Sequence, residues 1–310
     1  MKKLLTVLLA ITTLSVFGQK NQFVDLKWKI AKDEKLNYAT VMNEISETVE
    51  VDFRGLFKAL IDISEFETET KELFNKINQI FGMQDYVTTL INNGNGVVDI
   101  VMRKTVPQKQ QEEIVEEIHA FVPEEEDISE DEMAFFFQEL QSMFQESTVM
   151  LRGSVYETGD IHSFWVKNDQ KNLIALFFEL PTKPVKIGDK WSLNVNLIAN
   201  DQSFECDSAY KINEITLSDI KTVNGETIAV LKYNIAEYVN GIFNAPAFFG
   251  NEEKQIETMM KLTYKGIAEF SIDKGRWITY DGIMSIDTTG VMIANKKTKF
   301  TLINETNTSR

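Results

Sequence analysis

A series of alternating apolar and polar segments, separated by very short turns, is the feature that most restricts the fold. Residues 86–91 and 97–102 alternate in this way and flank an Asn-Gly-Asn-Gly sequence at 93–96, which is typical of a β-hairpin. Two strands joined by so short a connection must run in opposite directions. The sequence therefore predicts a fold built mainly from antiparallel hairpins.

The second half of the chain carries most of these segments. They lie at 150–156, 162–166, 191–197, 204–212, 228–235, 262–272, 277–286 and 299–303, and another opens the first half at 26–30. Asn-Gly at 224–225 and Asp-Lys-Gly-Arg at 273–276 supply further tight turns. Residues 173–178 are apolar at every position, and we interpret them as a strand that is covered on both faces.

Helical periodicity is confined to the first half, over 56–81 and more weakly over 114–121. The clearest helix begins at Ser129, where Glu132 completes a capping box, and its apolar stripe extends to Phe144. The predicted fold class is therefore α+β, predominantly antiparallel β, with two β-rich lobes and a few packed helices. The predicted boundaries are 19–104 for an N-terminal β-rich lobe with helices, 105–148 for an acidic helical connector and 149–310 for a C-terminal antiparallel β lobe.

Residues 1–18 have the pattern of a secretory signal peptide. Lys2 and Lys3 precede an apolar run that ends near small residues at 16–18. The run is short for a transmembrane helix, and no later segment is long and apolar enough to span a bilayer. We expect export to the periplasm or cell envelope with no transmembrane segment after cleavage; an uncleaved N-terminal anchor is the alternative.

Acidic residues dominate the charge of the chain. The formal net charge is −15, and removal of Lys2 and Lys3 with the leader moves it to −17. Between Glu112 and Glu132 there are eleven Asp and Glu residues and no Lys or Arg. A nucleic-acid partner is excluded by this balance, because such proteins present a basic face.

The residues that usually carry catalysis are scarce. His119 and His162 are the only histidines and Cys206 is the only cysteine, which excludes a zinc site of ordinary composition. Cys206 occupies an alternating strand position, so we expect a buried, inert thiol. Ser163 adjoins His162, but adjacent strand residues point to opposite faces, so we expect no joint action. No catalytic residue, metal or cofactor is predicted.

Phenylalanines at otherwise polar positions are the strongest sign of a binding function. Phe135 lies on the polar side of the helix predicted from Ser129, and Phe248 and Phe249 lie in the turn-rich segment 244–250. We take Phe135, Phe248 and Phe249 as ligand-binding candidates, with 244–250 as a lid over an apolar pocket. Packing of the same rings in the core is the alternative.

Residues 180–191 read L-P-T-K-P-V-K-I-G-D-K-W. They resemble the recurring L-P-x-K-x-V-K-x-G-D-x-W segment of a family of exported Bacteroidota proteins of unknown function. Residues 26–30, 274–277 and 282–284 are similar to other blocks of that family, so the likeness spans most of the mature chain. The resemblance implies an export signal and a β-rich fold, and it carries no assigned activity and no catalytic residue.

Three functions are compatible with these observations. We favour an exported, non-enzymatic envelope protein that binds an apolar small molecule or lipid in a curved antiparallel sheet. The second is an envelope protein–protein interaction module that uses exposed phenylalanines and the acidic connector. The third is an uncharacterised hydrolase with paired carboxylates, a pair that only geometry reveals.

Overall fold

The computed structural model describes residues 22–46, 50–52, 86–92, 94–104, 149–165, 168–198, 204–245 and 254–304. The elements are β1 (Lys35–Glu44), β2 (Glu50–Asp52), β3 (Tyr86–Asn92), β4 (Val97–Lys104), β5 (Val149–Tyr156), β6 (Ile161–Trp165), α1 (Asn168–Phe178), β7 (Lys190–Trp191), β8 (Phe204–Val223), β9 (Glu226–Ala245), β10 (Lys254–Ser271), β11 (Arg276–Thr289) and β12 (Ile293–Asn304). The prediction of a predominantly antiparallel β structure is confirmed for these residues.

All twelve strands belong to one sheet. Its order is β6-β5-β4-β3-β1-β12-β11-β10-β9-β8-β7, and the short β2 pairs with β12 outside this path. The sheet is continuous through its middle because β1 pairs with β12, where Tyr38 lies opposite Asn304. Strands that the sequence assigned to two lobes thus share one sheet, and the two-lobe division is not confirmed.

Three of the predicted tight turns are confirmed. Residues 94–96 lie between β3 and β4, Asn224 and Gly225 join β8 to β9, and residues 272–275 join β10 to β11. Asn224 and Gly225 both have positive φ, 53° and 81°, as the preferred Asn-Gly hairpin turn requires. Each of these turns joins neighbouring antiparallel strands, which explains the alternation on either side of it.

Residues 173–178 are helical, so the strand predicted there is wrong. They form the last part of α1, in which Ile174 through Phe178 are almost completely buried. A helix reveals itself in a sequence through the polar residues of its exposed face. Because this end of α1 is buried all round, that signal is missing and the apolar run imitates a covered strand.

The two faces of the sheet differ in what covers them. α1 packs on one face, here termed the helix face, where its Phe177 ring meets Tyr280 at 5.3 Å between centroids. Tyr280, Tyr264 and Trp277 on this face are 0–1 % exposed. The opposite face, here termed the open face, carries alternate residues such as Ile267 and Ile283, which are 48 % and 40 % exposed.

Aromatic side chains of the core also cap the C-terminus of α1. The last carbonyl groups of a helix have no donor within the helix. Here three aromatic donors supply the missing bonds: Tyr280 Oη to Leu176 O at 2.7 Å, Trp277 Nε1 to Phe177 O at 2.7 Å and Trp28 Nε1 to Phe178 O at 2.9 Å. The helix is therefore attached to the sheet by its backbone as well as by apolar packing.

Residues 24–34 form an extended segment, here termed the strap, across the turns at one end of the sheet. Its backbone amides donate to three turns: Trp28 to Glu157 O at 2.8 Å, Lys29 to Gly275 O at 3.1 Å and Asp33 to Asn92 O at 3.0 Å. Gly275 has φ 60°, and a Cβ there would lie 2.3 Å from the Lys29 nitrogen. Only glycine fits, because the strap passes directly over this turn.

Several predictions lie outside the described residues. These are the helices at 56–81, 114–121 and 129–144, together with the connector 105–148. No helix in the described ranges is long and apolar enough to cross a membrane.

Candidate functional site

The apolar core cluster on the helix face ends part of the way along the long strands, although Thr258 and Thr288 beyond it are also buried. Tyr264 of β10 is fully buried, and Met284, its partner on β11, packs against the core. The next pair outward is Leu262 opposite Ile286, followed by Met260 opposite Thr288. Met260, Leu262 and Ile286 are only partly buried and lie outside the core cluster. We term Met260, Leu262, Met284 and Ile286 the apolar strip.

The strip follows from strand geometry. Successive side chains of a strand point to opposite faces, so even-numbered positions of β10 and β11 continue the helix face beyond the core cluster. One charged residue borders it on each neighbouring strand: Glu237 of β9 lies opposite Leu262, and Lys296 of β12 lies opposite Ile286. Met260 lies opposite the apolar Val239 of β9.

Glu237 is a carboxylate in an otherwise apolar row. Only 4 % of the residue is exposed. Its Oε2 accepts a hydrogen bond from the Ile198 amide at 2.8 Å, and its Oε1 lies 2.7 Å from Lys211 Nζ. Lys211 Nζ also donates to the Val195 carbonyl at 2.7 Å. The buried Glu237 carboxylate and the exposed Lys211 thus hold residues 195–198 beside the strip.

Side-chain amides hold the same segment from both sides. Asn213 of β8 accepts from the Leu193 amide at 3.0 Å and donates to its carbonyl at 2.6 Å. Asn172 of α1 makes the same pair of bonds with Asn196, both at 2.7 Å. The sequence predicted a strand at 191–197, but beyond Trp191 the segment is held by amides that imitate a strand ladder.

Glu179 follows α1 and binds the same segment. Its Oε2 accepts from the Asn194 amide at 2.8 Å. Burial raises the pKa of Glu179 to about 7. The hydrogen bond from Asn194 lowers this pKa by a smaller amount, and the nearby Asp160 carboxylate raises it further. This contact between α1 and residues 192–198 therefore includes a group that titrates near neutral pH.

Ser154, His162 and Ser163 form a small polar cluster on β5 and β6. Ser154 Oγ lies 3.0 Å from His162 Nδ1 and 2.7 Å from Ser163 Oγ. The premise that His162 and Ser163 point to opposite faces is wrong, because an irregularity in the β5–β6 register follows Ser154 and both side chains reach its hydroxyl. In the described part of the chain, no carboxylate bonds to His162 as an orienting third residue would.

Cys206 is exposed, so the prediction of a buried thiol is wrong. Its Sγ donates to the Ser208 carbonyl at 3.4 Å, next to a register shift between β8 and β9. Residues 205–212 of β8 are exposed on both faces, and alternation predicts burial only where one face is covered. Across the described ranges, no group of three or more His, Cys, Asp or Glu side chains is placed to hold a metal ion.

The three predicted ligand-binding residues Phe135, Phe248 and Phe249 lie outside the described residues, as does His119. Phe248 and Phe249 belong to the connection between β9 and β10. β10 begins at Lys254, and its first core-facing apolar residues include Met260 of the strip. β9 ends at Ala245, so both strand termini lie at the end toward which the strip extends.

Sequence reasoning did not single out the strip. The signal was present as alternation at 262–272 and 277–286, but the register that places Leu262 opposite Ile286 is visible only in the sheet. No protein-family model matches this sequence, and no curated protein is significantly similar to it. The function must therefore be argued from the geometry.

Proposed function

We propose that this protein is an exported, non-enzymatic envelope protein that binds an apolar ligand, such as the acyl chain of a lipid, on the helix face of its sheet. The ligand contacts the apolar strip. Both the export and the ligand are proposals, supported by the leader pattern at 1–18, the resemblance of residues 180–191 and the geometry of the strip.

One observation carries the proposal: apolar side chains continue along the helix face outside the core cluster, and three of them are only partly buried. Burying a leucine or isoleucine contributes about 1.5–3 kcal/mol, and that gain is forgone while the side chain stays in water. Met260, Leu262 and Ile286 retain part of this unused surface. A bound acyl chain supplies the missing apolar contact.

The shape and borders of the strip suit such a ligand. Met284 lies opposite Tyr264, and Met260 lies four residues farther along β10. The strip is therefore about 13 Å long. Lys296 borders it beside Ile286, so a polar head group can lie at this charged edge while the chain lies on the strip. Apolar binding sites commonly combine such a lining with a few polar groups.

The finer parts of the predicted architecture belong to the same proposal. They are two lobes, packed helices at 56–81 and 129–144, an acidic connector at 105–148, and a lid that contains Phe248 and Phe249. Phe135 is the proposed contact from the connector. The proposal that an apolar ligand binds the strip does not depend on any of these features.

The test uses N-phenyl-1-naphthylamine, a neutral apolar dye that fluoresces when it leaves water. Protein stripped of lipid is titrated with the dye, and saturable binding is expected. Leu262→Thr combined with Ile286→Thr should weaken binding at least about tenfold, because two apolar contacts are lost. Threonine keeps the β-branched shape that favours strands.

Ile303→Thr is the matched control, because Ile303 of β12 is 41 % exposed and points to the open face. It should leave dye binding unchanged. Equal weakening by the control, or no saturable binding by the stripped wild-type protein, would contradict the proposal. In the second case the interaction-module alternative is favoured, and the strip would be tested as a protein contact.

A further inference from the structure

A groove of about 630 Å³ crosses the open face over strands β8 to β12. Its lining includes three lysines, two exposed isoleucines and an aspartate: Lys232, Lys265, Lys299, Ile267, Ile283 and Asp281. These residues point away from α1 and from the apolar strip, on the other side of the sheet. The groove is therefore separate from the site proposed above.

Strand register interleaves the lysines with the isoleucines. Ile267 lies opposite Lys232 on one side and Asp281 on the other. Ile283 lies between Lys265 and Lys299. Each isoleucine therefore has a lysine on a neighbouring strand. Both isoleucines are also exposed, Ile267 by 48 % and Ile283 by 40 %.

The lysines outnumber the carboxylates that could neutralise them. Asp281 is already engaged by Lys299 Nζ at 3.2 Å and by the Thr301 hydroxyl at 2.8 Å. Glu214, the other carboxylate of the groove, pairs with Lys190 at 3.0 Å. Within the described part of the chain, Lys232 and Lys265 form no ion pair. Two positive charges thus stand beside exposed apolar side chains in a protein whose net charge is −15.

We propose that this groove binds a small organic anion with an apolar body. Lys232 and Lys265 contact the anionic group, and Ile267 and Ile283 contact the apolar body. The volume is in the range of small-molecule sites, roughly 300–1,000 Å³. A broad anionic surface such as a membrane is disfavoured, because Glu257, Glu269 and Asp287 occupy the same face and would be brought against it.

Two dyes that share one ring system test the charge requirement. 8-Anilinonaphthalene-1-sulfonate is N-phenyl-1-naphthylamine with an added sulfonate, so it supplies both the anion and the apolar body. We expect saturable binding of the sulfonate that weakens with added salt. Lys232→Gln combined with Lys265→Gln should weaken sulfonate binding about tenfold and leave binding of the neutral dye unchanged.

Lys261→Gln combined with Lys297→Gln is the matched control. It removes the same charge from the same face, at lysines that do not line the groove. Equal weakening in both double variants would overturn the proposal, because it would show a diffuse effect of charge. Displacement of the sulfonate dye by anionic phospholipid vesicles, but not by soluble decanoate, would overturn the assignment of a small ligand.

The variant Leu262→Thr with Ile286→Thr separates the two sites. It should reduce binding of the neutral dye without changing the lysine-dependent binding of the sulfonate. Lysine-dependent binding that disappears in this variant would contradict a separate groove. Failure at the apolar strip and failure at the groove are therefore distinguishable.

Discussion

The hydroxyl of Tyr280 on β11 donates to the carbonyl oxygen of Leu176 in α1 at 2.7 Å, across 104 residues of sequence. This carbonyl has no donor within the helix, because the Leu180 amide that would reach it bonds instead to Gly159 O. Tyr280 in turn accepts from the Tyr264 hydroxyl at 2.9 Å. A single tyrosine thus connects the end of the helix to two strands of the sheet.

Replacing Tyr280 by phenylalanine should destabilise the fold by about 1–3 kcal/mol. The ring remains, but the buried Leu176 carbonyl and Tyr264 hydroxyl each lose a partner. Urea unfolding followed by circular dichroism measures the change. Tyr210→Phe is the control, since Tyr210 is 45 % exposed, and it should change the free energy of unfolding very little. Equal changes in the free energy of unfolding for the two variants would show that the hydrogen bonds of the Tyr280 hydroxyl do not stabilise the fold.

Glu179→Gln should stabilise the protein progressively as pH rises. Burial raises the pKa of Glu179 from 4.5 to about 7, so the folded protein favours the protonated carboxyl. The contribution of Glu179 to the free energy of unfolding is therefore greatest below pH 4.5. It falls between pH 4.5 and 7 as the buried carboxyl ionises, and it is constant above pH 7. The advantage of the glutamine variant should therefore grow over this window in urea titrations at several pH values.

Glu34→Gln provides a comparison of opposite sign. The hydrogen bond from the Ala31 amide, aided by Arg276, lowers the pKa of Glu34 despite partial desolvation. Its ionised form therefore stabilises the fold above pH 4.5, and that contribution is lost as pH falls through the lowered pKa. The glutamine variant should be less stable than wild type at neutral pH and approach it on acidification. The same slope in both variants would refute these assignments.

Glu237→Ala should cost about 1–3 kcal/mol, because the buried Ile198 amide loses its acceptor and Lys211 loses its counter-ion. Glu237→Gln should cost less, since its carbonyl can still accept from that amide. Glu214→Ala, at an exposed pair with Lys190, should cost less than about 1 kcal/mol. Urea midpoints at pH 7 measure all three, and similar losses for Glu237 and Glu214 would argue against a buried anchor.

Export predicts a defined mature chain. Intact mass of the protein isolated from its native cells should correspond to a start at or near Gln19, and the protein should fractionate with the periplasm or envelope. Cleavage there leaves the strap at 24–34 complete. A mass that retains residues 1–18 would contradict the leader interpretation.

Alternation predicted strands such as β11 and β12 because one row of side chains in each is more buried than the other. It reports burial, however, and not the hydrogen-bond partner. Leu26, Trp28 and Ile30 are buried and alternate with polar residues, yet they belong to the strap, whose amides bond to turns. Residues 191–197 were predicted as a strand for the same reason.

The candidate site depended on information that local patterns do not contain. Leu262 and Ile286 are ordinary strand residues until the register places them opposite each other outside the core cluster. Lys232 and Ile267 become neighbours in the same way on the open face. Register is fixed by the whole set of buried contacts, so a single sequence could predict the strands and not the surfaces that they assemble.

The pairing of β1 with β12 also determines when this sheet can be completed. Tyr38 and Asn304 lie opposite each other although nearly the whole chain separates them, and contacts of such long range make folding slow. During synthesis, β1 has no partner on one side until the last strand has been made. If the chain is exported as proposed, this order keeps the central seam open during translocation, because the seam closes only after β12 is available.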